Sequence, residues 1–364
     1  MDCGINKHLF NITPYQPGKP IEEVKRELGL KKVIKLASNE NSLGVSSKVI
    51  SAVAGSLKDI SRYPDGDCFY LKKKLARKLG VDIKNLIFGN GSDELLDQIA
   101  KTFLNPKTDE IITSDVTFLE YKITGQISGV KVREVPLRNF KYDLSAIAKA
   151  VTKKTKLIFI ANPNNPTGTY VNKKQFEDFL ISIPEEVIIV YDEAYQEFVD
   201  VNDFPSGLKY FKEKNFITLK TFSKIYGLAG LRIGYGITNP EFIEAMNRVR
   251  QPFNINSLAQ IAAIAVLDDK EYVKKSQQLT WEGKKFLYEQ FDEMGLDYVP
   301  SVTNFILVCI KQDVFGALLK MGIIVRPMDM YNLRGYIRVT IGTKAENQMF
   351  IDSLKKVLSG GEKI

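Results

Sequence analysis

An α/β fold with a mostly parallel sheet is what this sequence predicts, and three observations predict it. Short apolar runs at 157–161 (LIFIA), 187–191 (VIIVY) and 216–219 (FITL) alternate with segments of helical spacing. Runs that lack polar alternation suit strands buried on both faces, as parallel strands are once helices cover them. Directly after each run stands a polar motif: Asn162-Pro163-Asn164-Asn165-Pro166-Thr167-Gly168, then Asp192-Glu193-Ala194-Tyr195, then Lys224 in Thr221-Phe222-Ser223-Lys224. Ligands of open α/β sheets bind at the carboxyl ends of the strands, so the three motifs predict one shared site.

The other elements follow along the chain. Pro14, Pro17, Gly18 and Pro20 punctuate an irregular arm, and a short helix then ends at Gly29. After IKLASNEN (34–41) and a helical stretch, Ser61-Arg62-Tyr63-Pro64-Asp65-Gly66 carries turn residues. A strand at 85–88, a turn at 89–93 and a helix at 94–103 follow, with Leu95, Leu96, Ile99 and Phe103 on one helical face. Strand, glycine turn and helix start make an anion site from backbone N–H groups. The glycine spacing matches neither nucleotide-binding loop. A strand at 110–113 leads to Val116-Thr117-Phe118-Leu119-Glu120-Tyr121. The turn at 250–256 reads as the start of a second domain, with helical patterns to Met294 and strands at 303–309, 323–325 and 336–341.

Composition excludes several function classes. At 364 residues, with 44% hydrophobic and 26% charged residues, the chain is long enough for two or three domains with a sizeable core. The net charge of +8 raises nucleic acid as a partner. The lysines are dispersed, however, and Lys72-Lys73-Lys74 falls on the polar face of a helix whose Leu71, Leu75 and Leu79 recur every fourth residue, so no nucleic-acid partner is expected. Cys3, Cys68 and Cys309 are far apart and form neither a disulfide framework nor a metal motif, so no metal is expected. The start has no signal-peptide pattern, and the longest apolar runs, such as 261–267, are too short to span a bilayer. A cytoplasmic protein that does not bind membranes is the expectation. The single histidine, His8, lies near the terminus, so another side chain must move protons.

Lysine is the candidate. Lys224 stands at a strand end beside the hydroxyls of Thr221 and Ser223, and Arg232 follows eight residues later. A desolvated lysine becomes nucleophilic enough to form a Schiff base, and arginine offers phosphate a planar charged fork. Pyridoxal 5′-phosphate carries both an aldehyde and a phosphate. Asp192 suits a helix N-cap, but a carboxylate there could also keep a pyridine nitrogen protonated. The stiff Asn-Pro turn holds the Asn165 amide where it and Tyr195 could reach the ring's phenolic oxygen. Arg338, inside a strand-like alternation, should need an anion.

These motifs, N-P-T-G, D-x-x-Y and S-K-x(7)-R in this order, resemble the fold type I pyridoxal-phosphate-dependent aminotransferases. NITPYQPGKP, IKLASNEN, YPD, GSDE, YDEAYQEF, TFSKIYGLAGLRIGYG, RQPFN, GIIVRP and IRVTIGT extend the resemblance over about residues 11–350, most closely to the histidinol-phosphate aminotransferase family. The resemblance implies a large domain at 41–255 with a mostly parallel seven-stranded sheet between helices. It also implies a smaller α+β domain at 256–364, joined by the arm at 1–40. It places Ser92 and Asp93 in the cofactor's phosphate cup with Thr221, Ser223 and Arg232, and stacks Phe118 on the ring. It makes Lys224, Asp192 and Tyr195 catalytic, and assigns the substrate phosphate to Tyr15, Arg326 and Arg338, with Asn165 beside them. Tyr63 would cross a homodimer interface to the partner's cofactor phosphate. The implied reaction is transamination of L-histidinol phosphate with 2-oxoglutarate, giving imidazole-acetol phosphate and glutamate. An aromatic amino acid or prephenate aminotransferase, or dual specificity, is the alternative; a threonine-phosphate-type decarboxylase shares the scaffold. A cofactor-sensing regulator is disfavoured by the short segment before IKLASNEN. Ser42 departs from the family, where proline often follows N-E-N.

Overall fold

The computed structural model describes residue 4 and residues 7–213 and 215–360; Cys3 lies outside the described residues. In chain order its strands are β1 (Ile34–Lys35), β2 (Leu86–Gly89), β3 (Glu110–Ser114), β4 (Lys131–Val135), β5 (Thr155–Ala161), β6 (Ile188–Asp192) and β7 (Phe216–Thr221). They continue with β8 (Gly234–Ile237), β9 (Tyr298–Val299), β10 (Phe305–Cys309), β11 (Ile323–Ile324), β12 (Arg326–Pro327) and β13 (Tyr336–Thr340). Seven strands form one sheet in the order β2-β8-β7-β6-β5-β3-β4. It is parallel except at β8, which runs antiparallel to both β2 and β7.

The apolar runs are strands because helices remove both of their faces from water. Leu157, Ile158, Phe159 and Ile160 of β5 are each 0% exposed. Burying such side chains contributes roughly 1.5–3 kcal/mol each against the entropy of ordering them. Leu95, Leu96 and Ile99 of helix Ser92–Phe103 join the same core.

A second sheet, β12-β13-β10-β9, is antiparallel throughout. Its core gathers Ile306, Val308, Val339, Phe350 and Leu354 with Leu287 and Phe291. The N-terminal segment closes on this part of the molecule, because β1 pairs in parallel with β11 and places Ile34 and Leu36 in that core. The turn at 250–256, expected to open the second domain, is followed by a helix that packs elsewhere. Helix Ser257–Leu267 puts Ala259, Ala262, Ala263 and Val266 into the large-sheet core. That helix is apolar nearly all round, as a helix enclosed by a core should be. The next helix, Lys270–Glu293, crosses from one core to the other, with Tyr272 in the first and Leu287 and Phe291 in the second. Among the described residues no helix is long and apolar enough to cross a membrane, and no group of metal-ligating side chains forms.

Candidate active site

The three polar motifs meet at a cavity of about 450 Å³. Its walls come from the segments after β3, β5, β6 and β7, from helix Ser92–Phe103, and from Arg326 and Arg338 of the small sheet. The N-terminal segment adds Tyr15, Gly18 and residues 37–40. Every candidate site residue named above lines this cavity except Tyr63. Tyr63 is 83% exposed and stacks on Phe253, with ring centroids 4.8 Å apart.

Lys224 follows β7 directly. Its Nζ donates to the Ser38 carbonyl at 3.3 Å and lies 5.6 Å from the centre of the Tyr195 ring. Thr221 ends β7, and its hydroxyl accepts the Ser223 N–H at 3.0 Å, a turn that brings both hydroxyls to the same wall. Arg232 donates from Nη2 to Asp93 at 3.1 Å and from Nη1 to the Ala229 carbonyl at 3.2 Å.

Two glycines permit this approach. A Cβ on Gly91, whose φ is +79°, would stand 2.3 Å from Arg232 Nη2, and one on Gly234 would stand 2.5 Å from the Ser92 nitrogen. Either side chain would fill the cradle between the guanidinium and the helix start.

Asp192 is the last residue of β6 and is buried. Its carboxylate accepts the Tyr121 O–H at 2.8 Å and the Ala194 N–H at 3.0 Å, so it orders a turn rather than capping an α-helix. Burial pushes its carboxyl up to about 6, against those two hydrogen bonds. Behind it, Lys220 of β7 is 2.9 Å from Glu197 and 3.7 Å from Glu193, which ties the ends of β6 and β7 together.

Hydrogen-bond partners decide which way two polar groups can act. Tyr195 O–H accepts from Asn39 Nδ2 at 2.9 Å, so its own proton is free to donate. Asn165 Oδ1 accepts from Arg338 Nη1, which leaves the Asn165 Nδ2 protons for the cavity.

Arg338 is 7% exposed, yet among the described residues it has no carboxylate partner. Its Nη2 donates to the Ala37 carbonyl at 2.7 Å, its guanidinium lies 5.3 Å from the Phe305 ring centre, and its Nε is buried with nothing to bond. Burial holds its pKa below the ordinary arginine value. A buried guanidinium in this condition calls for an anion. Arg326 stands 5.7 Å from the Tyr15 ring and donates to the Gln16 carbonyl.

Several lining residues were not legible as site residues. Tyr121 showed only an aromatic, Asn39 only one amide within IKLASNEN, and Glu120 only the first position of helix Glu120–Ile127. Tyr121 and Asn39 are placed by contacts that are distant in sequence, such as Asn39 N–H to Thr340 Oγ1 at 2.9 Å.

The aminotransferase class I and II family model matches residues 31–354. The histidinol-phosphate aminotransferase of Moorella thermoacetica is 51% identical over 356 residues, covering 96% of this chain and 92% of its own length. That of Caldicellulosiruptor saccharolyticus is 50% identical, covering 96% and 99%. The chain belongs to the class I and II aminotransferases, in the histidinol-phosphate aminotransferase family. The crystal structure of the Sinorhizobium meliloti histidinol-phosphate aminotransferase, in complex with pyridoxal-5′-phosphate, superposes with a TM-score of 0.90 at 27% identity and covers 99% of each chain. This protein is therefore a pyridoxal-phosphate-dependent aminotransferase of the fold type I class. The residues fit that cofactor. The aminotransferase cavity holds a lysine, a buried carboxylate, and a guanidinium near serine and threonine hydroxyls. These complement an aldehyde, a pyridine nitrogen and a phosphate.

Proposed function

We propose that this aminotransferase moves the amino group of L-histidinol phosphate to 2-oxoglutarate, giving imidazole-acetol phosphate and glutamate for histidine biosynthesis. The observation that carries the substrate is the pair Arg326 and Arg338 on one cavity wall, with Arg338 buried and unpaired and Tyr15 against Arg326. A phosphate dianion has more acceptor sites than a carboxylate, and two guanidinium groups suit it. An aromatic amino acid would need only one of them, which is why that alternative ranks second. Arg326→Gln should therefore raise the KM for histidinol phosphate by about 10- to 100-fold, the scale of one charged hydrogen-bonding partner, and affect phenylalanine far less. Initial rates with both donors check this, and equal losses would argue against the phosphate role.

Bound pyridoxal phosphate supplies an aldehyde carbon for the amino group and a ring that accepts electrons. Lys224 Nζ takes the proton from the substrate carbon that bears the amine, and later returns one, as base and then acid. Asp192, held by Tyr121 and Ala194, would keep a proton on the ring nitrogen. Tyr195 O–H and Asn165 Nδ2 would donate to the ring oxygen. Ser92, Thr221, Ser223 and Arg232 would hold the cofactor phosphate, with Asp93 offering its backbone N–H at the helix start while its carboxylate fixes Arg232, and Phe118 would cover the ring face.

We also propose a homodimer in which Tyr63 serves the partner's site. Large aromatics are left exposed there: Tyr63 stacks on Phe253, which is itself 47% exposed. Exposed apolar patches of this kind mark interaction surfaces. Mixing Tyr63→Ala and Lys224→Ala subunits should restore part of the activity that each homodimer lacks, through the hybrid's one intact site. A wild-type protein fully active as a monomer at nanomolar concentration would rule the arrangement out. Cys68 and Cys309 are free, which fits a reducing cytoplasm.

A further inference from the structure

Four acidic side chains line the cavity, and three have protein partners. Glu40 pairs with Lys35 at 3.1 Å, Asp93 pairs with Arg232 at 3.1 Å, and Asp192 accepts from Tyr121 and Ala194. The fourth, Glu120, has no hydrogen bond or ion pair among the described residues, although it is partly buried. It opens helix Glu120–Ile127, where the helix dipole favours a carboxylate. That benefit does not prevail, because burial and the nearby Asp93 raise the Glu120 carboxyl above its ordinary value. A partly buried carboxylate without a protein donor favours a ligand that offers one, as the buried, unbonded Nε of Arg338 favours an anion. The two needs stand on different walls: Arg326 and Arg338 belong to the small sheet, whereas Glu120 follows β3 of the large one.

From this we infer that Glu120 is a specificity-determining residue that accepts the N–H of a nitrogen heterocycle on the substrate, at the end remote from its phosphate. The inference rests on the substrate reading above and deepens it. A substrate with an anion at one end and an imidazole at the other satisfies both unpaired groups. A phenyl ring offers Glu120 no donor and leaves its carboxylate desolvated, so the same residue that attracts imidazole rejects phenylalanine-like side chains. Rejection of this kind is stronger than an apolar pocket can achieve, because the bound phenyl ring would take water from a carboxylate and give it no partner in return.

Two non-reacting probes isolate the ring: 3-(imidazol-4-yl)propyl phosphate and 3-phenylpropyl phosphate, titrated calorimetrically into the holoenzyme. The wild type should favour the imidazole probe. Glu120→Gln should weaken that probe about 10-fold, and Glu120→Leu about 10- to 100-fold, the scale of losing a charged acceptor. The phenyl probe should hold within about twofold in the glutamine variant and bind more tightly in the leucine variant. Equal changes for the two probes, or no change for either, overturn the role of Glu120. Product formation by the wild type is read separately. If histidinol phosphate is converted but the variants do not discriminate between the rings, only the Glu120 inference falls. If it is not converted, the substrate reading falls, and this inference falls with it.

Discussion

Lys224→Ala should lose turnover by about 10⁴-fold or more, the upper range for a positioned proton-transfer group, because no other side chain can replace it. The other cavity cations are the arginines 232, 326 and 338, and arginine does not give up its proton at working pH. The one histidine, His8, is spent elsewhere, with Nε2 at 3.2 Å from the Ile127 carbonyl. The variant should still fold, since the Lys224 ammonium makes a single 3.3 Å hydrogen bond and no ion pair among the described residues. Borohydride reduction followed by peptide mass spectrometry provides a second readout. The wild type should carry the reduced cofactor on the peptide containing residue 224, and the variant should carry none. Turnover retained in a contaminant-free preparation would remove Lys224 from the mechanism.

Asp192→Asn should produce the second-largest loss, about 10²- to 10³-fold in turnover, the scale of removing one preorganised electrostatic partner. Its effect on stability has the opposite sign, and the sign follows from burial. In the cofactor-free protein the Asp192 carboxyl is raised from 3.8 to about 6. Between those values the unfolded chain gives up its proton first, so stability falls as pH rises through this window. The penalty is absent below about pH 4 and complete above about pH 6, and a shift of two units corresponds to about 3 kcal/mol. The cofactor-free asparagine variant should thus melt at a higher temperature than the cofactor-free wild type at pH 8, with the gap closing by pH 4. Adding cofactor should stabilise the wild type more than the variant, because only the wild type gains a cation for its buried carboxylate. Melting curves with and without pyridoxal phosphate at both pH values check this, and a gap independent of pH would refute it.

By itself the sequence determined the parallel core of this protein and the chemistry at its strand ends. β5, β6 and β7 are continuous apolar runs because water reaches neither face, and Asn165, Asp192 and Lys224 stand out as polar residues that follow such runs. Signals of that kind are local and survive in one dimension. β4 and β8 left weaker signals. β4 is an edge strand whose Lys131 and Glu134 are exposed, so its pattern is mostly polar. β8 reads Gly-Tyr-Gly-Ile, and the reason for Gly234 is a backbone nitrogen 2.5 Å from where its Cβ would lie, contributed by Ser92.

The tertiary structure alone decided how the site residues serve one another. Tyr121 and Asp192 are 71 positions apart, Asn39 and Tyr195 are 156 apart, and Asn165 and Arg338 are 173 apart. It also decided that helix Ser257–Leu267 packs with the large sheet, although a turn precedes it. Charge balance within the cavity belongs to the same class. A composition of 51 basic and 43 acidic residues says nothing about which of them lack a partner. Only folding, by pairing Asp93 with Arg232 and Asp192 with Tyr121 across the sequence, leaves Glu120 at the cavity without a protein donor and Arg338 buried without a carboxylate. Long-range pairing sets the desolvation of each group, and desolvation is what turns an ordinary charged residue into one that requires a ligand.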